Sequence, residues 1–171
     1  MIVILDGPEA AGKSTIIEEL KFVLPEPIKI RAWGPVSSWM EYREPLAEDL
    51  GLVGETVIWD RSWAAEVVYN DLLHRGREVN ETQLFLYLEM KVEVSGGMMV
   101  MVLTDPEVLE DRRRRRREMR DKPDLPVDPI AERARFGRYA AEHEWSVVDG
   151  AQDPREVAET IHTALRLRGM R

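Results

Sequence analysis

Five short apolar runs punctuate the chain, and between them the apolar positions recur at helical spacing. The runs cover 2–6, 28–33, 56–60, 98–104 and 144–149. Runs of this length bounded by turn residues predict buried strands. Residues 13–23 place Ile16, Ile17 and Leu20 on one side of a helix, 36–50 are partly helical, and 62–75 gather Ala65, Val68 and Leu72 on one face. Residues 81–94 set Leu84, Leu88 and Val92 in a mostly buried helix. The later helices carry start signals. Thr104-Asp105-Pro106-Glu107 spells a capping box with an early proline, and Asp128-Pro129 and Asp153-Pro154 repeat the cap-then-proline form, with Glu156 three residues after Asp153. Strands alternating with helices predict an α/β sandwich around a parallel sheet. Ligands of such sheets lie at the carboxyl ends of the strands, so the chemistry is expected at 6–14, 31–35, 60–63, 104–120 and 149–153.

The first of these positions holds the most specific motif. Gly7-Pro8-Glu9-Ala10-Ala11-Gly12-Lys13-Ser14 fits the phosphate-loop pattern G-x-x-x-x-G-K-[ST] in full, between a predicted strand and a predicted helix. A loop of this kind wraps backbone N–H groups around an anion, and the positive end of the following helix adds to the field. Lys13 is expected to reach the β- and γ-phosphates and the Ser14 hydroxyl to ligate Mg²⁺.

Composition narrows the classes. The 171 residues suffice for one domain with a real core, and 44% hydrophobic with 33% charged residues describes a globular protein. No apolar run approaches the roughly 20 residues of a membrane span, and the N-terminus runs into the first strand with no basic leader. A cytoplasmic protein without membrane partners is expected. There is no Cys, and His74, His143 and His162 have no zinc spacing. A net charge of −8 argues against a protein that coats nucleic acid.

At the end of the third run, Asp60-Arg61-Ser62 places a carboxylate and a guanidinium at the ligand edge of the sheet. Arg grips a phosphate bidentately, and Asp60 is suited to hold a magnesium-bound water or orient the attacking oxygen. An Asp–Arg ion pair with Asp60 or Ser62 capping the next helix is the structural alternative.

Together these segments resemble the thymidylate kinase branch of the P-loop nucleotide kinases, and more loosely the deoxynucleoside kinases. Leu5-Asp6-Gly7-Pro8-Glu9-Ala10-Ala11-Gly12-Lys13-Ser14-Thr15 is similar to that family's opening loop, Asp60-Arg61-Ser62 to its Asp-Arg-Tyr or Glu-Arg-Ser motif, and Asp105-Pro106-Glu107 with the arginines that follow to the entry of its lid. Trp145-Ser146-Val147-Val148-Asp149-Gly150 with Pro154-Arg155-Glu156-Val157 resembles its last strand and final helix. The resemblance implies that Lys13, Ser14 and Thr15 hold the phosphates and magnesium of ATP, that Arg61 binds the acceptor's phosphate beside Asp60, and that the loop at Gln152 packs on adenine. It also makes Arg31 similar to the arginine of the acceptor loop. The family's Arg-Glu-Pro-Gly is replaced here by Arg31-Ala32-Trp33-Gly34-Pro35. Nucleoside kinases place a glutamate base near that point, and Ala32-Trp33 supplies none, which favours an acceptor that is already phosphorylated. Glu9, Asp60 and Glu44 are the remaining carboxylates for a base. Trp33, Trp39, Trp63 and Tyr69 either fill the core between helices or stack on a base, and Trp33, beyond a strand end, is the best stacking candidate.

Arg112 to Arg117 are six consecutive arginines, and Arg112, Arg116 and Arg120 align at i, i+4 and i+8. They cannot all face one ligand. Two or three are expected to close over the phosphates from a lid at about 108–127, the rest forming a solvated, salt-bridged face; contact with nucleic acid is the rival reading. The expectation is a single domain over 1–171: a three-layer P-loop NTPase sandwich with a five-stranded parallel sheet in the order 2-3-1-4-5. Its catalytic residues would be Lys13, Asp60, Arg61 and Arg116. ATP would be held by residues 7–15 with Arg112 and Gln152, the acceptor by Glu9, Arg31, Trp33, Arg61 and Arg120, and Mg²⁺ by Ser14 and Asp60. The acceptor expected is a deoxynucleoside monophosphate. A hydroxyl of a nucleoside or of a base in nucleic acid, an ATPase switch without acceptor, and a homodimer remain open.

Overall fold

The computed structural model describes residues 1–36, 38–76, 82–119 and 126–169. Five strands, β1 (Ile2–Asp6), β2 (Ile28–Ala32), β3 (Thr56–Asp60), β4 (Met98–Leu103) and β5 (Ser146–Asp149), form one sheet in the order β2-β3-β1-β4-β5. Every neighbouring pair is parallel. The helices are α1 (Lys13–Val23), α2 (Arg43–Leu50), α3 (Trp63–Leu72), α4 (Thr82–Val94), α5 (Pro106–Met119), α6 (Pro129–Glu142) and α7 (Pro154–Gly169), with a 3₁₀ turn at Trp39–Tyr42 ahead of α2.

Side-chain alternation divides the central strands between two cores. Val3 and Leu5 of β1 join Val100 and Val102 of β4 under Ile16, Leu20, Ile161 and Leu165, so α1 and α7 cover one face. Ile2 and Ile4, with Met99 and Met101, face Trp59, Trp63, Val68, Leu88 and Phe136, which bring α3, α4 and α6 onto the other. Glu89 of α4 is the polar hub of that second layer: it accepts from the indoles of Trp63 (3.3 Å) and Trp145 (2.9 Å) and from the Tyr139 hydroxyl (3.1 Å). Among the described residues, no helix is long and apolar enough to cross a membrane.

Two local expectations are corrected. The Thr104-x-x-Glu107 capping box does not form: Asp105 caps α5 by accepting from Glu107 N–H at 2.9 Å, which releases the Thr104 hydroxyl to donate to Ala11 C=O at 2.8 Å. β5 begins at Ser146 because Trp145 N–H still closes the end of α6 on Ala140 C=O. The Asp128 and Ser62 caps form as read, on Ala131 N–H and Ala64 N–H.

Arg31 is corrected as well. It lies one residue inside the end of β2, opposite Trp59, and its side chain lies against α2. Its guanidinium grips Asp49 twice, at 2.7 and 2.9 Å, and reaches Glu48 at 3.3 Å; Lys29 and the Trp59 indole complete the ring around Asp49, each at 2.8 Å. Arg31 therefore docks α2 on the edge strand. Burial alone would raise the Asp49 carboxyl, but Arg31, Lys29 and Trp59 outweigh it and hold the group below its ordinary value. A depressed folded-state pKa contributes stability above the unfolded value and loses it as pH falls through the folded one. Asp49→Asn is expected to cost about 2–3 kcal/mol at neutral pH, and the gap to the parent to close well below pH ~4, measured by urea unfolding across pH.

Candidate active site

The loop between β1 and α1 has the backbone of an anion cradle. Gly7 (φ 143°) and Gly12 (φ 106°) occupy positions that suit glycine, and a Cβ on Gly7 would lie 2.2 Å from Val102 C=O. Gly12 caps α1 with no side-chain hydrogen bond. Gly7 N–H is taken by Asp6 and Glu9 N–H by Glu132, but Ala10, Gly12, Lys13 and Ser14 N–H have no acceptor among the described residues. Unpaired donors at a helix N-terminus are what an anion satisfies. The carbonyls of the same peptides are engaged elsewhere: Glu9 C=O accepts from Arg113 (3.5 Å), Ala10 C=O from Arg112 (3.3 Å) and Ala11 C=O from Thr104.

Lys13 is buried across this loop, its ammonium donating to Gly7 and Pro8 C=O, both at 2.7 Å. Those are neutral partners that a phosphate can replace. Burial, then the charge of Arg61, bring the Lys13 pKa down to about 8 against the pull of Asp6, Asp60 and Glu132. Asp6, fully buried, is raised by burial despite Lys13 and its hydrogen bonds from Ser62, Gly7 and Ala65; it ties the start of the cradle to the N-terminus of α3. Ser14 and Thr15 are exposed at the mouth.

β3 is the neighbour of β1, so Asp60 and Arg61 stand beside the cradle: Leu5 pairs with Asp60, and Arg61 N–H donates to Leu5 C=O at 2.9 Å. Arg61 is held at φ 74°, a strained conformation for a side chain other than glycine. The local Asp60–Arg61 ion pair is absent: among the described residues neither side chain has an ionic partner. A cleft of about 280 Å³ opens here, lined by Glu9, Arg61, Tyr69, Trp33, Tyr42 and Glu66, with Arg75 beyond. Tyr42 is fully buried, and its hydroxyl and the Trp33 indole N–H have no hydrogen-bond partner among the described residues. Trp63 is in the core, and the Trp39 side chain lies outside the described residues.

Of the arginine run, Arg112 reaches Ala10 C=O and, at 3.0 Å, Gly150 C=O after β5. Gly150 is required there, because a Cβ would lie 1.9 Å from Ala11 C=O. Arg113 is buried, at 2% exposure, against Glu132 of α6. Arg114, Arg115 and Arg117 are exposed and pair with Asp111 and Glu110, the solvated face expected of most of the run. Arg116 is exposed, and Arg120 lies outside the described residues. Gln152 is exposed in the turn after β5.

The structure thus brings together residues 7–15, Trp33, Asp60, Arg61 and Arg112 and leaves Arg31 out. The reading from sequence passes over Asp6, Tyr42, Glu66, Arg75, Thr104, Arg113 and Glu132. Glu66 has a signal, lying one helical turn after the Ser62 cap and so on the cleft side with it. Glu132, in the first turn of an ordinary amphipathic helix, has none.

No family model matches the sequence, and no curated protein is detectably similar to it. Solved structures are. The chain is similar to the YorR protein of Bacillus subtilis in complex with phosphorylated GDP, with 19% identity over 100% of this chain and 99% of that one and a TM-score of 0.76. It is similar to deoxyadenosine kinase of M. mycoides with the products dCMP and dCDP bound, at 17% identity over 98% of this chain and 100% of that one, TM-score 0.62. It is also similar to polyphosphate kinase 2 of Arthrobacter aurescens TC1, at 18% identity over 98% of this chain and 66% of that one, TM-score 0.64. At such identities the likeness speaks for the fold: with its strand order and its glycine loop, the chain has the P-loop NTPase fold.

Proposed function

We propose that this protein transfers the γ-phosphoryl group of ATP to a phosphorylated nucleoside, with a deoxynucleoside monophosphate as acceptor. One observation carries the reading: Glu9 of the cradle and Arg61 of the adjacent strand end line the same cleft, so a triphosphate in the cradle and an acceptor in the cleft would meet between them. The kinases among the structural neighbours and the nucleotides bound in two of them support it.

In this mechanism the Ala10, Gly12, Lys13 and Ser14 amides and the Lys13 ammonium grip the β- and γ-phosphates. Arg61, strained into place and without an ionic partner among the described residues, takes the acceptor's phosphate. An oxygen of that phosphate forms the new bond to the γ-phosphorus while the bond to the β–γ bridging oxygen breaks, and ADP leaves. Phosphoryl transfer asks the protein mainly for positioning and charge neutralisation, which Lys13 and Arg61 supply, joined by Arg116 from the exposed end of α5. Among the described residues no three His, Asp or Glu side chains group as a metal site. Magnesium bound to phosphates needs only one or two protein oxygens, and the Ser14 hydroxyl with the Asp60 carboxylate fits that donor chemistry; the ion neutralises phosphate charge when bound. Trp33, Tyr42 and Tyr69 would hold the acceptor's nucleoside, and the loop at Gln152 the donor's base. A second reading, transfer to a nucleoside hydroxyl, is favoured by Glu9 and Glu66, which bring to the cleft the carboxylates that Ala32-Trp33 lacks.

Labelled ATP incubated with panels of monophosphates, nucleosides and DNA is expected to label the monophosphates; label found only in free phosphate would remove the transferase reading. Lys13→Ala is expected to lower turnover by about 10²-fold or more with the melting temperature nearly unchanged. Arg61→Ala should raise the acceptor KM about tenfold or more and leave ATP affinity close to the parent's, as steady-state kinetics with each substrate varied will show. Because Lys13 in the free protein is charged only below about pH 8, triphosphate affinity should fall as pH rises through that value. Binding above it should take up a proton, read by calorimetry in buffers of different ionisation enthalpy.

A further inference from the structure

Behind the cradle lies a buried ion pair that the mechanism above leaves unused. Glu132, at the start of α6, has no exposed surface, and Arg113 of α5 pairs with its Oε2. The other oxygen, Oε1, accepts two hydrogen bonds. One comes from Glu9 N–H in the cradle, at 3.1 Å, and one from the Tyr69 hydroxyl in the acceptor cleft. Burial and then the charge of Glu132 push the Tyr69 phenol well above its ordinary pKa, so Tyr69 stays protonated and donates. Arg113 in turn donates to Glu9 C=O and, at 3.1 Å, to Val127 C=O, while its Nε has no partner among the described residues.

We infer that Glu132 is a positioning residue that sets the cradle at Glu9 and ties it to Tyr69, so that one carboxylate oxygen joins the donor site to the acceptor site. A buried ion pair is weak evidence for stability, since replacing both members with neutral groups of similar size is often neutral or stabilising. The placement of the Glu132 oxygen speaks for position instead. Glu9 is held from both sides, its amide by Glu132 and its carbonyl by Arg113, which fixes the tilt of the peptides around it. The Ala10, Gly12, Lys13 and Ser14 amides follow in the same turn and are left for a ligand. Arg113 belongs to the arginine run, yet it acts from behind the loop. The consequence for catalysis rests on the kinase reading above; the geometry of the clamp does not.

Two paired variants separate position from stability. R113M/E132Q keeps an amide oxygen facing Glu9 and Tyr69, whereas R113M/E132L keeps none; both remove the buried charges together. Both are expected to melt within a few degrees of each other. Single Glu132→Leu, which strands the Arg113 charge, should be far less stable. In the ligand-free proteins, hydrogen exchange at the Glu9 amide should be about tenfold faster or more in the Leu pair than in the Gln pair. Affinity for the Mg²⁺ complex of a non-hydrolysable ATP analogue should fall about tenfold in the Leu pair and stay within about threefold of the parent in the Gln pair. Equal exchange and equal affinity in the two pairs would overturn the inference. A parent protein that binds no triphosphate, with the exchange difference intact, would sink the kinase reading and leave the clamp standing.

Discussion

The whole arrangement depends on peptide groups that the fold leaves half satisfied. At the turn from β1 into α1, the amides of Ala10, Gly12, Lys13 and Ser14 have no acceptor among the described residues, while the carbonyls of Glu9, Ala10 and Ala11 are each engaged by a side chain from behind. A bound phosphate supplies acceptors for such donors at a helix N-terminus, where the helix field also favours an anion. Lys13 meanwhile rests on two neutral carbonyls, so no carboxylate has to be displaced for it to meet an anion.

The second side of the site follows from strand order. Because β3 sits next to β1, the residue after β3 is hydrogen-bonded to β1 itself, and Arg61 is forced into a left-handed conformation at that junction. Strain of this kind, of order 1–3 kcal/mol, persists only where the surroundings over-determine it. Here it leaves a guanidinium without an ionic partner among the described residues, beside an ammonium whose charge it already weakens. Two cations so placed are an unfavourable pair until an anion lies between them. The cleft that extends from them is lined by Tyr42 and Trp33, whose hydroxyl and indole N–H are buried and have no hydrogen-bond partner among the described residues.

The arginine helix is divided by depth. Its first members, Arg112 and Arg113, brace the cradle and the loop after β5, whereas Arg114, Arg115 and Arg117 form an exposed, acid-paired surface. A run of like charge therefore serves two physical purposes within a few residues: desolvated donors that satisfy carbonyls, and solvated charges that keep a helix in water.

The sequence by itself determined the strands, the parallel sheet and the phosphate loop, because apolar runs, helical spacing and glycine-lysine chemistry are local properties that propensity and motif record directly. It also determined that Asp60 and Arg61 fall at a strand end. What only the tertiary structure decided is where side chains point and what they meet. Arg31 sits one residue too early in its strand, so alternation sends it to Asp49 on α2 and away from the cleft. Thr104 leaves its expected cap because Ala11, distant in sequence, offers a buried carbonyl. Glu132 joins Glu9, Tyr69 and Arg113 across three other elements, a convergence that no periodicity encodes, since it is fixed by the packing of α3, α5 and α6 against the sheet.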